Sequence, residues 1–216
     1  MQKNRAAIRV LVLTQLAFVP ASAAGQSSGS ELAAVVMIGM VAALIYTGVV
    51  FVRAWLGRSG NAASPPAWID ALIPGLVIAG LGVAGYLTYV ETQAVPAVCG
   101  PVGDCNAVQA SPYAKLFGVL PVGVLGLIGY VAILAAWLWG RFRSDRLADY
   151  APLGVLGMTA FGVLFSVYLT YLELFVIYAV CMWCLASAVI MTLLMLLATP
   201  EAIASFAPEE AESARP

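Results

Sequence analysis

The sequence predicts an all-α polytopic membrane protein, and three observations carry that reading. First, the chain is 62% hydrophobic and only 10% charged. Soluble domains carry about 25% charged residues, so water is not the main solvent of this surface. Second, five stretches are long and apolar enough to cross a bilayer: Leu32–Val52, Ala71–Val90, Gly118–Gly140, Pro152–Leu172 and Cys184–Ala198. Third, the basic residues between spans concentrate in alternate connections, as membrane topology requires. The net charge of −1 gives no footing for nucleic acid or an anionic lipid patch.

Residues 1–24 have the three-part layout of a signal peptide. Lys3, Arg5 and Arg9 precede an apolar run from Val10 to Val19, and Pro20-Ala21-Ser22-Ala23-Ala24 supplies small residues suited to cleavage near Ala23 or Ala24. The alternative is an uncleaved short anchor. Residues 25–66 hold the first span and its following loop. The last apolar stretch is short for a span unless Cys181–Trp183 opens its first turn. An acidic tail, 199–216, carries Glu201, Glu209, Glu210 and Glu212 and reads as disordered beyond Pro200.

Orientation follows from charge. Arg53 and Arg58 lie between spans one and two, and Arg141, Arg143 and Arg146 between spans three and four. These loops are expected in the cytoplasm. The other two connections hold the cysteines and a single base, Lys115. They are expected on the opposite side, where disulfides persist.

The chemistry rests on four cysteines, Cys99, Cys105, Cys181 and Cys184, in a chain without histidine. Cys181-Met-Trp-Cys184 stands at the start of the last span. Positions i and i+3 share a helix face, so the two sulfurs can bridge in one turn. A helix N-terminus is expected to lower a thiol pKa and favour the attacking thiolate. Cys99-Gly-Pro-Val-Gly-Asp-Cys105 is a loop, since Gly100, Pro101 and Gly103 disfavour helix. A disulfide there is expected to be an exposed, labile ring. Two structural staples, or an all-cysteine zinc site, are the other readings. The spacing of five residues within the wider pair is atypical for zinc.

A repeat links the two regions. Tyr86-Leu-Thr-Tyr-Val-Glu91 recurs as Tyr168-Leu-Thr-Tyr-Leu-Glu173, and in each copy a cysteine follows the glutamate by eight residues, an offset of 82 throughout. Gly75 and Gly80 match Gly157 and Gly162. Chance composition is the competing explanation. A true repeat places Cys99 and Cys181 on one membrane face at similar height. Glu91 and Glu173 then read as solvated interfacial residues, and Trp68, Trp137, Trp139 and Trp183 as membrane-interface anchors. A quinone contact is the other reading of Trp183. Gly82, Gly85, Gly123 and Gly126 read as sites of close helix approach.

The segment Cys105-Asn-Ala-Val-Gln-Ala-Ser111-Pro-Tyr113-Ala, followed by Phe117-Gly118-Val-Leu-Pro121-Val-Gly-Val-Leu-Gly126, resembles the bacterial vitamin K epoxide reductase (VKOR) family. Cysteine order, spacing and the serine six positions beyond the second loop cysteine agree together, over about Trp68 to Ala198. The resemblance implies a four-helix-bundle VKOR-like core, residues 67–198, plus one extra N-terminal transmembrane helix. It implies a quinone-dependent thiol oxidoreductase with ubiquinone or menaquinone as electron acceptor. By position, Cys184 faces the quinone, with Ser111 near it. Cys181 exchanges with the loop through Cys105, and Cys99 is attacked by a reduced, secreted or periplasmic thioredoxin-like (DsbA-like) protein. The chain ends at Pro216 without a fused thioredoxin domain, so that partner is expected to be separate. Animal members that reduce vitamin K epoxide carry a tyrosine where Ala188 stands here, which argues against epoxide as substrate. The unrelated quinone-linked bundle of many proteobacteria has its C-x-x-C before the wider pair, opposite to this order. From another class, a non-enzymatic transport or assembly subunit with two structural disulfides is the alternative.

Overall fold

A computed structural model describes residues 2–56, 68–100, 103–116, 118–145 and 147–205. Among these described residues six helices follow in order: α1 Gln2–Trp55, α2 Trp68–Gln93, the short α3 Cys105–Ala110, α4 Val122–Phe142, α5 Ala151–Leu172 and α6 Met182–Ala204. A two-stranded antiparallel hairpin, β1 Lys115–Leu116 and β2 Leu120–Pro121, precedes α4. Among the described residues five helical segments are long and apolar enough to cross a membrane, and the expected spans fall within them apart from the first residues of the third.

Boundaries differ from expectation where local chemistry intervenes. The third span begins at Val122, not Gly118, because Gly118 takes a positive φ of 73° and turns the hairpin. The last helix is longer at both ends than its apolar core. Cys181 is its N-cap, and the helix passes Pro200 to reach Ala204, so residues 201–204 are helical where disorder was expected. Residues 206–216, with Glu209, Glu210 and Glu212, lie outside the described residues. Helix α5 starts with Pro152 in its first turn, where the missing N–H costs nothing. It runs into a π-helical turn, Glu173–Ile177, closed by Tyr178 in the left-handed region at φ 56°.

Helices α2, α4, α5 and α6 form the four-helix core: α5 packs on α6, α2 on α4, α6 on α2, and α4 on α5. Helix α1 lies outside this core, against α5 and α6. Thr47 and Thr199 meet at 3.4 Å across the α1–α6 contact. Tyr130, Ile133, Val77, Val163 and Met195 fill the interior. Small residues set its spacing, as they do between membrane helices. The repeat-related Gly80 and Gly162 sit against Tyr130 and Met191. Gly123 brings α4 onto α2, where a Cβ would strike the Thr88 backbone N. Gly126 makes ordinary contact with Ala84, whereas Gly82 and Gly85 face open space, so the expected close approach there does not occur. Val35, Ile38, Ile45, Phe161 and Leu164 point outward, the surface that hydrocarbon covers. Trp137 packs on the core instead of serving as a belt residue. Trp139 is exposed beside Asp145 and Arg143. The Trp68 side chain lies outside the described residues.

The alternating run of the helices gathers the end of α2, α3, the hairpin, the start of α4, the end of α5 and the start of α6 at one end of the bundle. Ala33 and Val36 of α1 reach the same end, beside Val180 and Leu185. Arg53, Arg141 and Arg143 are at the other, near the last turns of α1 and α4. Arg58 and Arg146 lie outside the described residues.

Candidate active site: four thiols and an apolar cavity

All four cysteines come together at the collecting end of the bundle, in one apolar cluster with Leu87, Val90 and Trp183. This is the juxtaposition the repeat predicts for Cys99 and Cys181. All four are free thiols in this structure.

The segment carrying Cys99 is clamped from three sides. The Val98 N–H donates to the Tyr86 hydroxyl at 2.7 Å, and the Trp183 Nε1–H donates to the Val98 carbonyl at 2.9 Å. The Tyr86 and Trp183 rings lie 4.6 Å apart. Asn106 accepts from the Ala97 N–H at 2.7 Å and reaches the Cys99 sulfur at 3.9 Å. Trp183 is thus a clamp on the Cys99 loop, and it is not among the residues lining the cavity described below.

Cys105 departs from the exposed ring the sequence predicts. It opens α3 and is fully buried, while Cys99 stays half-buried. Two features force this. The Asp104 carboxylate caps α3 by accepting from the Ala107 N–H at 3.1 Å, and the Asp104 N–H donates to the Val180 carbonyl at 2.9 Å. Gly103, at φ 90°, presses on that same carbonyl, leaving no room for a Cβ. The loop is therefore docked on Val180, the residue just before Cys181.

The thiols then follow one another. Cys99 interacts with Cys105, Cys105 with Cys181, and Cys181 with Cys184. The neighbouring Cys181 thiol and burial push the Cys105 thiol well up. At Cys181 the Cys105 thiol acts downward, but Cys184 and burial outweigh it and the thiol also rises. The lowering expected from the helix N-terminus is thus reversed, because burial among sulfurs dominates a partial charge. Burial raises Cys99 as well, followed by its Cys105 neighbour.

Beyond Cys184 lies a cavity of about 460 Å3 between α2, α4, α5 and α6. Its walls are mostly apolar, and Cys184 and Ser111 both line it. The Ser111 hydroxyl donates to the Val108 carbonyl at 2.7 Å, as the C-cap of α3. The Tyr130 hydroxyl, at 3.0 Å from Ser187 Oγ, braces the wall one turn after Cys184. Gln109 Oε1 is buried there without a hydrogen-bond partner. Among the described residues no grouping of His, Cys, Asp and Glu has the arrangement of a metal site.

Two carboxyls reach the same cavity, contrary to the expectation of interfacial solvation. Glu91 is half-buried and its Oε2 accepts from the Gly123 N–H at 2.8 Å. Glu173 is only 2% exposed and faces the Cys184 thiol and the Cys181 backbone N–H. The sequence signal was present in the repeat, which sets each glutamate eight residues before a cysteine.

The description "Vitamin K epoxide reductase family" belongs to a family model that matches residues 71–199 of this chain. The chain belongs to the vitamin K epoxide reductase family. The match spans α2 to α6 and leaves α1 outside, which agrees with a four-helix core plus one extra helix. Members of this family are membrane thiol oxidoreductases that generally work with a quinone and thiol partners. That membership sets aside a non-enzymatic membrane subunit. A quinone fits what this chain offers: an apolar chamber of suitable size, a sulfur in its wall and a few polar groups, two of them with an unpartnered oxygen.

Proposed function

We propose that this VKOR-family protein is a quinone-dependent protein-dithiol oxidoreductase that generates disulfides outside the cytoplasm. Electrons pass from a reduced thioredoxin-like (DsbA-like) protein through Cys99/Cys105 to Cys181/Cys184 and then to ubiquinone or menaquinone. The observation that carries this reading is the unbroken succession of four thiols, from half-buried Cys99 to Cys184 at the apolar cavity.

The steps balance. A partner thiolate attacks Cys99 in the Cys99–Cys105 disulfide, and Cys105 leaves as thiolate. Cys105 attacks Cys181, and Cys184 leaves. The partner's second thiolate closes its own disulfide and frees Cys99, which attacks Cys105 and releases Cys181. The loop disulfide is restored and the inner pair is now a dithiol. Its two electrons and two protons leave into the cavity as Cys181–Cys184 re-forms, the quinone supplying the oxidising power. The buried, docked Cys105 makes the middle step intramolecular, with the gain that proximity brings.

The bacterial cytoplasmic (inner) membrane, with the thiols on the extracytoplasmic side, is the proposed location. The separation of Arg53, Arg141 and Arg143 from the thiol end supports it. Residues 1–24 act as signal peptide, 25–66 as extra span and loop, 67–198 as catalytic core and 199–216 as cytoplasmic tail. The test is quinone reduction by purified protein supplied with a reduced thioredoxin-like protein. The wild type turns over, and Cys99→Ala, Cys105→Ala, Cys181→Ala and Cys184→Ala each fall to background. Normal turnover in all four would sink the relay.

A further inference from the structure

Glu173 is a cavity-lining carboxyl whose chemistry the relay leaves unused. It stands on the π-helical turn Glu173–Ile177, an irregularity that tends to mark function. Glu173 is 98% buried and lines the cavity, and its Oε2 is buried without a hydrogen-bond partner. The groups it faces are the Cys184 thiol and the Cys181 N–H, neither of which carries a positive charge. The matching glutamate, Glu91, is spoken for: the Gly123 N–H holds its Oε2, and Gln109 and Lys115 act on it as well. An intramembrane carboxyl has two routes to neutrality, a cation or a proton, and the described residues that face Glu173 offer no cation.

We propose that Glu173 is the internal acid of the site, a protonated carboxyl that delivers protons to the quinone oxygens as electrons leave the Cys181/Cys184 pair. This rests on the relay reading above and adds the route of the protons. When Cys105 attacks Cys181, the sulfur released at Cys184 emerges as a thiolate inside an apolar wall. A carboxylate beside it would set two negative charges together in a medium of low dielectric, which is strongly unfavourable. A carboxylic acid there instead stabilises the thiolate by donating to it. As the S–S bond of Cys181–Cys184 closes, the pair gives up two electrons. Glu173 gives its proton to one oxygen, regains a proton from one thiol of the inner pair and gives it to the second oxygen, and the other thiol then reprotonates it. Two thiol protons and two electrons thus yield the quinol, and Glu173 ends as it began.

The experiment has two arms on the full-length protein in detergent. In the first, quinone-free wild type and Glu173→Gln are compared by infrared spectroscopy at neutral pH. A carboxylic-acid C=O band present in the wild type and missing from the variant is the expected result, and its absence from the wild type overturns the proposal. In the second, the dithiol form is mixed with a short-chain quinone in a single turnover. Glu173→Gln, isosteric but unable to pass a proton, is expected to slow quinone reduction roughly 100-fold, the usual worth of a positioned acid. Glu173→Asp regains part of the rate, and exchange of the reduced partner with the Cys99–Cys105 disulfide continues in both variants. Wild-type speed in Glu173→Gln overturns the proposal, as does equal loss of partner exchange, which marks a folding defect common to the whole site. Wild-type protein that reduces no quinone overturns the relay reading itself, and the infrared arm tells the two failures apart.

Discussion

Cys99 and Cys105 form one pair in the sequence, yet they occupy unlike places. Cys99 is half-buried and held by Asn106, while Cys105 has no exposed surface and touches Cys181. A small alkylating reagent is therefore expected to modify Cys99 first in the reduced protein, with Cys105 and Cys181 at least tenfold slower, on the order of what burial and a raised thiol pKa impose. Peptide mass spectrometry after timed iodoacetamide treatment checks the order. The same shifts predict a pH dependence. Cys105 and Cys181 keep their protons in the fold at pH values where an unfolded thiol, near about 8.5, loses its own. The unfolded chain then binds fewer protons, so stability is full below that value and declines as pH rises above it. Thermal unfolding of the reduced protein should show a midpoint that falls from about pH 8.5 upward, in the range of that thiol value. The disulfide form lacks these protons and should stay flat over the same window. The cysteines were legible in the sequence because residue type and spacing announce them. Glu173 was misread as solvated, because its burial comes from a π-helical turn and from Cys181 and Cys184 folding over it, contacts that no local pattern encodes.

One irregular element, the loop that leads into α3, aims Cys105 at Cys181. Residues 103–105 dock by the Asp104 N–H on the Val180 carbonyl, which only a glycine at 103 permits. Gly103→Ala combines a positive φ with a clash against that carbonyl, and is expected to cost roughly 1–3 kcal/mol of stability. By moving Cys105 away from Cys181 it should also slow transfer between the pairs on the order of 100-fold. Thermal unfolding reads the first effect and rapid-quench trapping of the thiol states reads the second. Glycine in this loop was legible as a helix breaker, but its docking was not: the partner atom is the backbone of Val180, far away in sequence and close only once α2 and α6 pack. The hairpin before α4 was hidden for a similar reason, since Leu120, Pro121 and Val122 read equally well as the start of an apolar span.

The bundle brings these pieces to one end by simple alternation of four core helices, and α1 joins through α5 and α6. Periodicity and length were enough to reveal the spans, because a bilayer demands long, self-satisfied helices. Which helices neighbour one another was not legible, since lipid-facing and protein-facing sides are both apolar; Gly80 on Tyr130 and Gly162 on Met191 decide it only in three dimensions. The arginine end and the thiol end predict that a membrane-impermeant maleimide labels Cys99 from outside intact cells whose disulfides have been reduced. Cysteines introduced at Arg141 and Arg143 should stay unlabelled until the membrane is opened.

The claim on which everything rests is that the two cysteine pairs are one conduit, joined between Cys105 and Cys181. The double variant Cys99→Ala/Cys184→Ala retains only those two thiols. On mild oxidation the full-length protein in detergent is expected to form a Cys105–Cys181 disulfide within one chain, seen as a single cross-linked peptide that reduction splits. If both thiols instead remain open to alkylation, the pairs do not communicate and the relay is wrong.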